Sequence, residues 1–397
     1  MSNKKFISPH RGIVSPLDLS SAFWFEDTDE AAKWFADPTA DEYGYVRMGN
    51  PTVTRLEKSL ANMEEGAELG SVWSENSGLT AVMHLLIGCL ANRPFDRRRV
   101  VTTSNLYGGT VHQFHLWADK FGFDIVFVEN PFDLSAWEDE INERTALVFA
   151  ESPSNPGGGV VDIEPLAEIA HKVGAWLAVD NTLAGPIQKP LIWGADVVLY
   201  SSTKSLNGLS IGMGGVIIGS PKFVEEMEGP LNEWHSGIGT IMGPVPAFFT
   251  NLSVDEDVEE IMWRFSANAL EVSHFLSEQG LKVHYPLLPE SPYYVLAQKY
   301  MPEGAGGVLS FEMQSYEDAK RITETLPDRE RTFLAPHLGD RRYNLIIHPA
   351  STTHSKLSEN ELRAANITPE LVRLSVAAGR RRNNAFIDRF AQVLNQL

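Results

Sequence analysis

The sequence predicts an α/β protein, with a doubly wound parallel-sheet domain over residues 50–245 and a smaller α+β domain over residues 246–397. Three observations carry this prediction. From about residue 50, short apolar runs alternate with amphipathic helical stretches at the spacing of βαβ units. The runs are apolar throughout rather than in alternation, as strands buried on both faces require. Near residue 250 the alternation stops, and one long helix is followed by scattered strands.

In chain order, residues 1–49 hold too few core positions to fold alone and are expected to drape as an arm over a neighbouring subunit. Asn50-Pro51 reads as an N-cap followed by proline at the first helical position, with Leu56, Leu60 and Met63 carrying the apolar stripe to Gly66. Further helices are expected at 79–91, 107–121 and 164–173, the last closed by Gly174. Buried strands are expected at Arg99–Thr103, Ile125–Val128, Ala146–Ala150, Trp176–Val179 and Val197–Tyr200, with another within Met213–Gly219. An amphipathic helix is predicted over 254–279 from Val258, Ile261, Phe265, Ala269, Val272 and Leu276, closing at Gly280. Ser253 with Glu256 reads as its capping box, and the acids of residues 255–260 suit a helix N-terminus. Strands at Gly307–Met313, Leu345–His348 and Leu371–Val376 and a helix from about 383 complete the chain.

Composition narrows the function classes. Charged residues are 21% and hydrophobic residues 43% of the 397, a folded, enzyme-like balance. Lys and Arg number 33 against 52 Asp and Glu, a net charge of −19 that repels a nucleic-acid backbone. Cys89 stands alone, which excludes an internal disulfide framework and fits a reducing compartment. No run approaches the roughly 20 apolar residues of a membrane helix. The start, Met1-Ser2-Asn3-Lys4-Lys5, is basic, but Pro9, His10 and Arg11 arrive before a signal-peptide core could form. A cytoplasmic enzyme with a small-molecule substrate is expected, without nucleic-acid or membrane partners.

Three features fall at the ends of predicted parallel strands, where ligands bind in open α/β sheets. Trp176–Asp180 ends in an acid followed by Asn181-Thr182. Val197–Lys204 ends in Ser201-Ser202-Thr203-Lys204, hydroxyls and a lysine. Ser77-Gly78-Leu79 opens an apolar helix whose free N–H groups suit a phosphate. A lysine for a Schiff base, an acid for a pyridinium nitrogen and a helix N-terminus for a phosphate are what pyridoxal 5'-phosphate requires.

The residues also resemble the Cys/Met-metabolism family of PLP-dependent enzymes, which holds cystathionine γ-synthase, methionine γ-lyase and O-acetylhomoserine sulfhydrylase. The likeness runs through Tyr45-Val46-Arg47-Met48-Gly49-Asn50-Pro51-Thr52, Ser77-Gly78-Leu79, Tyr107-Gly108-Gly109-Thr110 and Glu151-Ser152-Pro153-Ser154-Asn155-Pro156. It continues through Asp180-Asn181-Thr182, Ser201–Lys204, His348–His354 and Val372–Val376. It implies a PLP-dependent transferase-like large domain of the aspartate aminotransferase type I class, and a homotetramer, a dimer of dimers with shared active sites. It further implies that Tyr45 and Arg47 serve a neighbour's cofactor phosphate, with Gly78, Leu79, Ser201 and Thr203 on the phosphate of their own chain. By the same likeness Tyr107 stacks on the ring, Asn155 meets the ring hydroxyl and Asp180 the ring nitrogen. Lys204 would carry the cofactor and move the Cα and Cβ protons, with Tyr107 as a possible acid to the leaving group, and Arg373 would clamp the substrate α-carboxylate.

Departures bear on substrate. Methionine γ-lyases usually carry a cysteine where this chain has Gly109, and cystathionine enzymes a glutamate-serine pair where it has Tyr343-Asn344. Asn344 therefore replaces the usual serine contact to substrate. The stretch from Gly339-Asp340 through His354 and Ser355-Lys356-Leu357-Ser358 resembles the sulfhydrylases most, with one residue inserted and the loop after the lysine shortened. Glu75 stands where relatives are small or apolar; it is expected either to pair with a buried arginine or to face a cationic substrate tail. The reading is a γ-elimination giving a 2-oxo acid and ammonia, with a polar or basic leaving group such as that of canavanine. The alternative is γ-replacement by a thiol. A serine hydrolase reading of Gly208-Leu209-Ser210-Ile211-Gly212 fails because a strand, not a helix, is expected to follow. No metal site is expected, since the histidines form no H-E-x-x-H and His348 and His354 lie six apart.

Overall fold

The computed structural model describes residues 14–36, 42–91, 93–255, 257–355, 359–379 and 383–396. Apolar strand runs build a seven-stranded sheet of β1 (Val72–Glu75), β2 (Arg99–Thr103), β3 (Asp124–Val128), β4 (Thr145–Glu151), β5 (Trp176–Asp180), β6 (Val197–Tyr200) and β7 (Gly215–Gly219). Their order is β1-β7-β6-β5-β4-β2-β3. Neighbours from β3 to β6 run parallel, and β7 lies antiparallel between β6 and β1. This is the α/β architecture expected, and the strand predicted after Ser210 is β7.

Helices cover both faces. Gly78–Ala91, Gly108–Phe121 and Pro221–Trp234 bury Leu85, Phe114 and Phe223 against one, while Pro51–Met63 buries Leu56 and Leu60 against the other. Each fully buried Leu or Phe contributes roughly 1.5–3 kcal/mol. A second, five-stranded sheet comprises β8 (Lys282–His284), β9 (Val308–Glu312), β10 (Thr332–Leu334), β11 (Asn344–Ile347) and β12 (Leu371–Ser375), in the order β10-β11-β12-β9-β8. One continuous core joins the sheets, running from Val148 and Val179 through Ala269, Val272 and Leu276 to Leu309, Phe311 and Val372. It holds the centre of β12, and with it Arg373, against the first sheet.

The expected helix at 254–279 is in fact two, Pro244–Asp255 and Val258–Glu278. Asp257 breaks the run: it adopts φ +63°, and its carboxylate accepts the Glu260 N–H as the N-cap of the second helix. Aspartate tolerates this left-handed backbone better than most residues. Ser253 is correspondingly no cap. It lies inside the first helix, buried, with its hydroxyl donating to the Leu206 carbonyl; Glu256 lies outside the described residues. The rest of the acidic run is structural, with Asp255 accepting from Ser59 and Asn251, and Glu260 paired with Arg264.

Residues 14–36 and 42–49 turn back on themselves. Ala22 bridges Tyr45, Trp34 is buried beside Phe25 and Phe35, and the Asp18 N–H donates to Thr52 Oγ1 at 2.9 Å. The basic start at residues 1–13 and Lys356–Ser358 lie outside the described residues.

Candidate active site

The carboxyl ends of β4, β5 and β6 open onto a cavity of about 410 Å³. Gly78, Leu79, Tyr107, Asn155, Asp180, Ser201, Thr203, Lys204 and Arg373 all line it. A wider hollow of about 600 Å³ lies beside β8, where Lys282 and His284 are already tied to Glu312.

One wall is the start of helix Gly78–Ala91. Ser77 Oγ accepts the Thr80 N–H at 3.0 Å, and the Ser77 carbonyl accepts that of Ala81, so the N–H groups of Gly78 and Leu79 are free of the helix ladder. Two glycines permit this approach. A Cβ on residue 78 would lie 2.9 Å from Ser201 Cβ, and one on Gly215 would lie 2.1 Å from the Ser77 carbonyl oxygen. Thr203 is less open than Ser201, because its hydroxyl donates to the Gly214 carbonyl at 3.1 Å and accepts the Gly214 N–H at 3.0 Å.

The floor is acidic. Asp180 accepts both the N–H and the hydroxyl of Thr182, at 3.0 and 2.6 Å. Glu151, its register partner on β4, accepts the N–H groups of Tyr107 at 2.6 Å and Asn155 at 2.7 Å. Burial raises both carboxyls above their ordinary range, and for Glu151 the neighbouring Asp180 raises it further. Among the described residues neither forms an ion pair. Burial, then the nearby Arg373, lowers the Lys204 ammonium to about 8. Arg373 is 2% exposed; it donates to Asn155 Oδ1 and the His337 carbonyl, both at 3.3 Å, and its Nε has no partner.

Comparison with known proteins settles the family. The family described as Cys/Met metabolism PLP-dependent enzyme matches residues 2–380. The chain belongs to it. It is 34% identical to the O-succinylhomoserine sulfhydrylase of Pseudomonas aeruginosa, over 91% of this chain and 86% of the relative. It is also 34% identical to the L-methionine gamma-lyase of Fusobacterium nucleatum subsp. nucleatum, over 92% and 89%. Among solved structures, a Campylobacter jejuni protein described as an O-acetylhomoserine (thiol)-lyase, with pyridoxyl-lysine phosphate in its chain, superposes with a TM-score of 0.89 at 30% identity, covering 98% of this chain and 97% of that one.

As a member of this family the protein is a PLP-dependent enzyme of amino-acid metabolism, with elimination or replacement at Cγ as its chemistry and pyridoxal 5'-phosphate as its cofactor. The residues present fit that group. A buried carboxylate without a cation suits a pyridinium nitrogen, free helix N-terminal amides beside Ser201 suit a phosphate, and a lysine lowered to about 8 suits an aldehyde. When bound, the cofactor supplies an electron sink for negative charge at the substrate Cα.

Two expected substrate residues lie elsewhere. Glu75 is fully buried behind the helix start, bonded to His84 and His235, and faces neither an arginine nor the cavity. Asn344 is buried on β11, where its side-chain Oδ1 accepts the Ala377 N–H at 2.8 Å and so ties β11 to the backbone that follows β12. Tyr45 and Arg47 are also outside their own chain's cavity. Arg47 donates to the Ser236 carbonyl, and its guanidinium lies 5.6 Å from the Tyr45 ring centre. The structure adds Glu151, Thr182 and Met213 to the lining. Glu151 was legible from its motif; Met213 follows a glycine-rich loop with no chemical signal. Ser210 of the G-x-S-x-G stretch donates to Asp340, which removes it further from a hydrolase role.

Proposed function

We propose that the enzyme cleaves the Cγ–heteroatom bond of an L-amino acid whose γ-substituent is uncharged, releasing a 2-oxo acid and ammonia. The observation that carries this is the lining around Lys204. Its apolar part is Leu79, Val82, Leu183, Met213, Pro336 and Leu338, and among the described residues the floor acids Glu151 and Asp180 are its only carboxylates, which leaves none to meet a cationic tail. A guanidinooxy group such as that of canavanine has no counter-charge there, because Glu75 faces away. A thioether or an acyl ester suits these walls.

Each residue has a task. Arg373 offers a fork to the α-carboxylate and fixes which end of the substrate meets Lys204. Lys204, lowered to about 8, exchanges between amine and ammonium near neutral pH, as a group that takes a proton from Cα and returns one nearby should. Tyr107, half exposed at the mouth, has its backbone fixed by Glu151 and its phenol available to the departing heteroatom. Asp180 would hold the ring nitrogen of the bound cofactor, its carboxylate balancing the positive charge there.

The second reading is γ-replacement by sulfide. Gly109 favours it over a methionine γ-lyase, since a Cβ at 109 would lie 2.5 Å from Tyr107 Cε1 and a cysteine would displace the tyrosine. An assay panel of methionine, O-acetylhomoserine, O-succinylhomoserine, cystathionine, homoserine and canavanine separates the two. Ammonia with 2-oxobutanoate in the absence of sulfide supports elimination; homocysteine formed only with sulfide supports replacement; turnover of canavanine alone overturns the uncharged-substituent reading.

We also propose a cytoplasmic homo-oligomer, a dimer of dimers, in which Tyr45 and Arg47 complete a neighbour's phosphate site. Their exposure outside their own cavity supports this, and no described helix is long and apolar enough to cross a membrane. Mixed refolding of inactive Arg47→Ala and Lys204→Ala chains should restore part of the activity, because one kind of mixed site then has both residues. No restoration, with oligomers formed, overturns sharing.

A further inference from the structure

Behind the helix start, three side chains converge that the cavity does not use. Glu75 ends β1, His84 lies on helix Gly78–Ala91, and His235 follows helix Pro221–Trp234. Nδ1 of His84 is 2.5 Å and Nδ1 of His235 2.8 Å from Glu75 Oε1, and the donor atoms of all three lie within 4.8 Å of one another. Glu75 and His84 are buried, and the His235 side chain is 15% exposed, which leaves one way in.

Hydrogen-bond logic makes this cluster unusual. His84 Nε2 meets the Leu231 carbonyl at 2.9 Å, and a carbonyl only accepts, so Nε2 carries the hydrogen. Its Nδ1 therefore meets Glu75 Oε1 through a second ring hydrogen or through a bound cation, the two ways of placing positive charge between a ring nitrogen and a carboxylate oxygen. Glu75 Oε2 is buried without any hydrogen-bond partner. Among the described residues, Glu75 forms ion pairs with these two histidines and with no lysine or arginine.

We propose that Glu75, His84 and His235 form a binding site for a divalent cation of the zinc class. Two imidazoles and a carboxylate are a zinc donor set, with water able to reach a fourth position past His235. The Leu231 carbonyl plays the part of the outer partner that orients a metal-ligating histidine. With bonds of about 2.0–2.1 Å, tetrahedral ligands stand about 3.3 Å apart, so the carboxylate draws back by about 0.5–0.8 Å or turns Oε2 inward as the ion replaces bridging hydrogen.

The ion is a staple and takes no part in the Cγ chemistry. Glu75 leads directly into Asn76-Ser77-Gly78, and the Asn76 N–H donates to the Thr240 carbonyl at 2.9 Å. A cation held by Glu75 and His235 therefore ties the phosphate turn to the segment whose Ser236 carbonyl holds Arg47. The site stands whether the enzyme eliminates or replaces.

The test uses the holoenzyme, stripped with a chelator, titrated with zinc alone and assayed for bound metal after dialysis. Cobalt(II) titration, read as a difference spectrum against the cofactor, reports the ligand field. The expected result is one zinc per chain and tetrahedral cobalt bands, with affinity falling by roughly 100-fold in Glu75→Gln and in His235→Gln while cofactor absorbance is kept. Absence of stoichiometric zinc in the unaltered enzyme overturns the proposal, as does unchanged affinity in whichever of the two variants folds.

Discussion

Glu151 and Asp180 stand side by side in register on parallel strands, with both carboxylates on the floor of one cavity. Their hydrogen bonds differ. Glu151 is fully occupied by the Tyr107 and Asn155 N–H groups, whereas Asp180 is bonded only to Thr182, through one oxygen. Glu151 therefore shapes the site, and Asp180 keeps an oxygen that, in the proposed assignment, would meet the cofactor ring.

Asp180→Asn should fold and lose the charge that the ring nitrogen requires. Removing one partner of a buried ion pair costs about 3–5 kcal/mol, so kcat/KM should fall at least roughly 100-fold. The visible absorption of the bound cofactor should shift as well. An unchanged spectrum and rate would place the ring elsewhere.

Arg373→Lys keeps a charge but loses the fork. A bidentate carboxylate contact is worth about 2–3 kcal/mol more than a point charge delivers here, so KM for the amino acid should rise roughly 30–100-fold. Cofactor content, read by absorbance, should be unchanged. Equal kinetics for the two side chains would remove Arg373 from the carboxylate.

Gly78→Ala places a methyl group 2.9 Å from Ser201 Cβ, so the helix start and the Ser201 loop must part. The amides and the hydroxyl would then no longer converge. Affinity for pyridoxal phosphate, measured by dialysis and reconstitution, should fall by about tenfold, near 1.4 kcal/mol. Affinity equal to that of the unaltered enzyme would separate this turn from the phosphate.

Lys204 sets a pH signature. Its ammonium is lowered from 10.5 to about 8 by burial and then by Arg373. Between these values the unfolded chain holds a proton that the folded apoprotein has released, so apoprotein stability rises with pH across that window. The neutral amine attacks carbonyls, so cofactor uptake by apoprotein should speed up about tenfold per pH unit below 8 and level off above it. A midpoint near 10.5, read by stopped-flow absorbance, would mean an ordinary exposed lysine.

Much of this was legible before the structure. The runs Arg99–Thr103 and Val197–Tyr200 are strands with those bounds, because strands buried on both faces leave an unbroken apolar pattern. Asn50 caps its helix as expected, accepting the Thr52 N–H. The break at Asp257 was hidden because the apolar stripe continues on both sides of a single left-handed residue. Helix Pro221–Trp234 announces itself through Ser220 and Pro221, a cap and a first-turn proline that the strand before it obscured. Glu75 could not be placed by sequence, since one partner lies 9 residues away and the other 160. Asn344 resembled a substrate contact by position alone; only the register of β11 and β12 shows its amide turned toward Ala377.

Borohydride reduction of the holoenzyme, followed by peptide mass mapping, tests the central claim most directly. The account predicts a pyridoxyl phosphate group on the peptide that holds Lys204 and on no other lysine. A label fixed to a different lysine, or a Lys204→Ala protein that stays yellow and fully active, would contradict it.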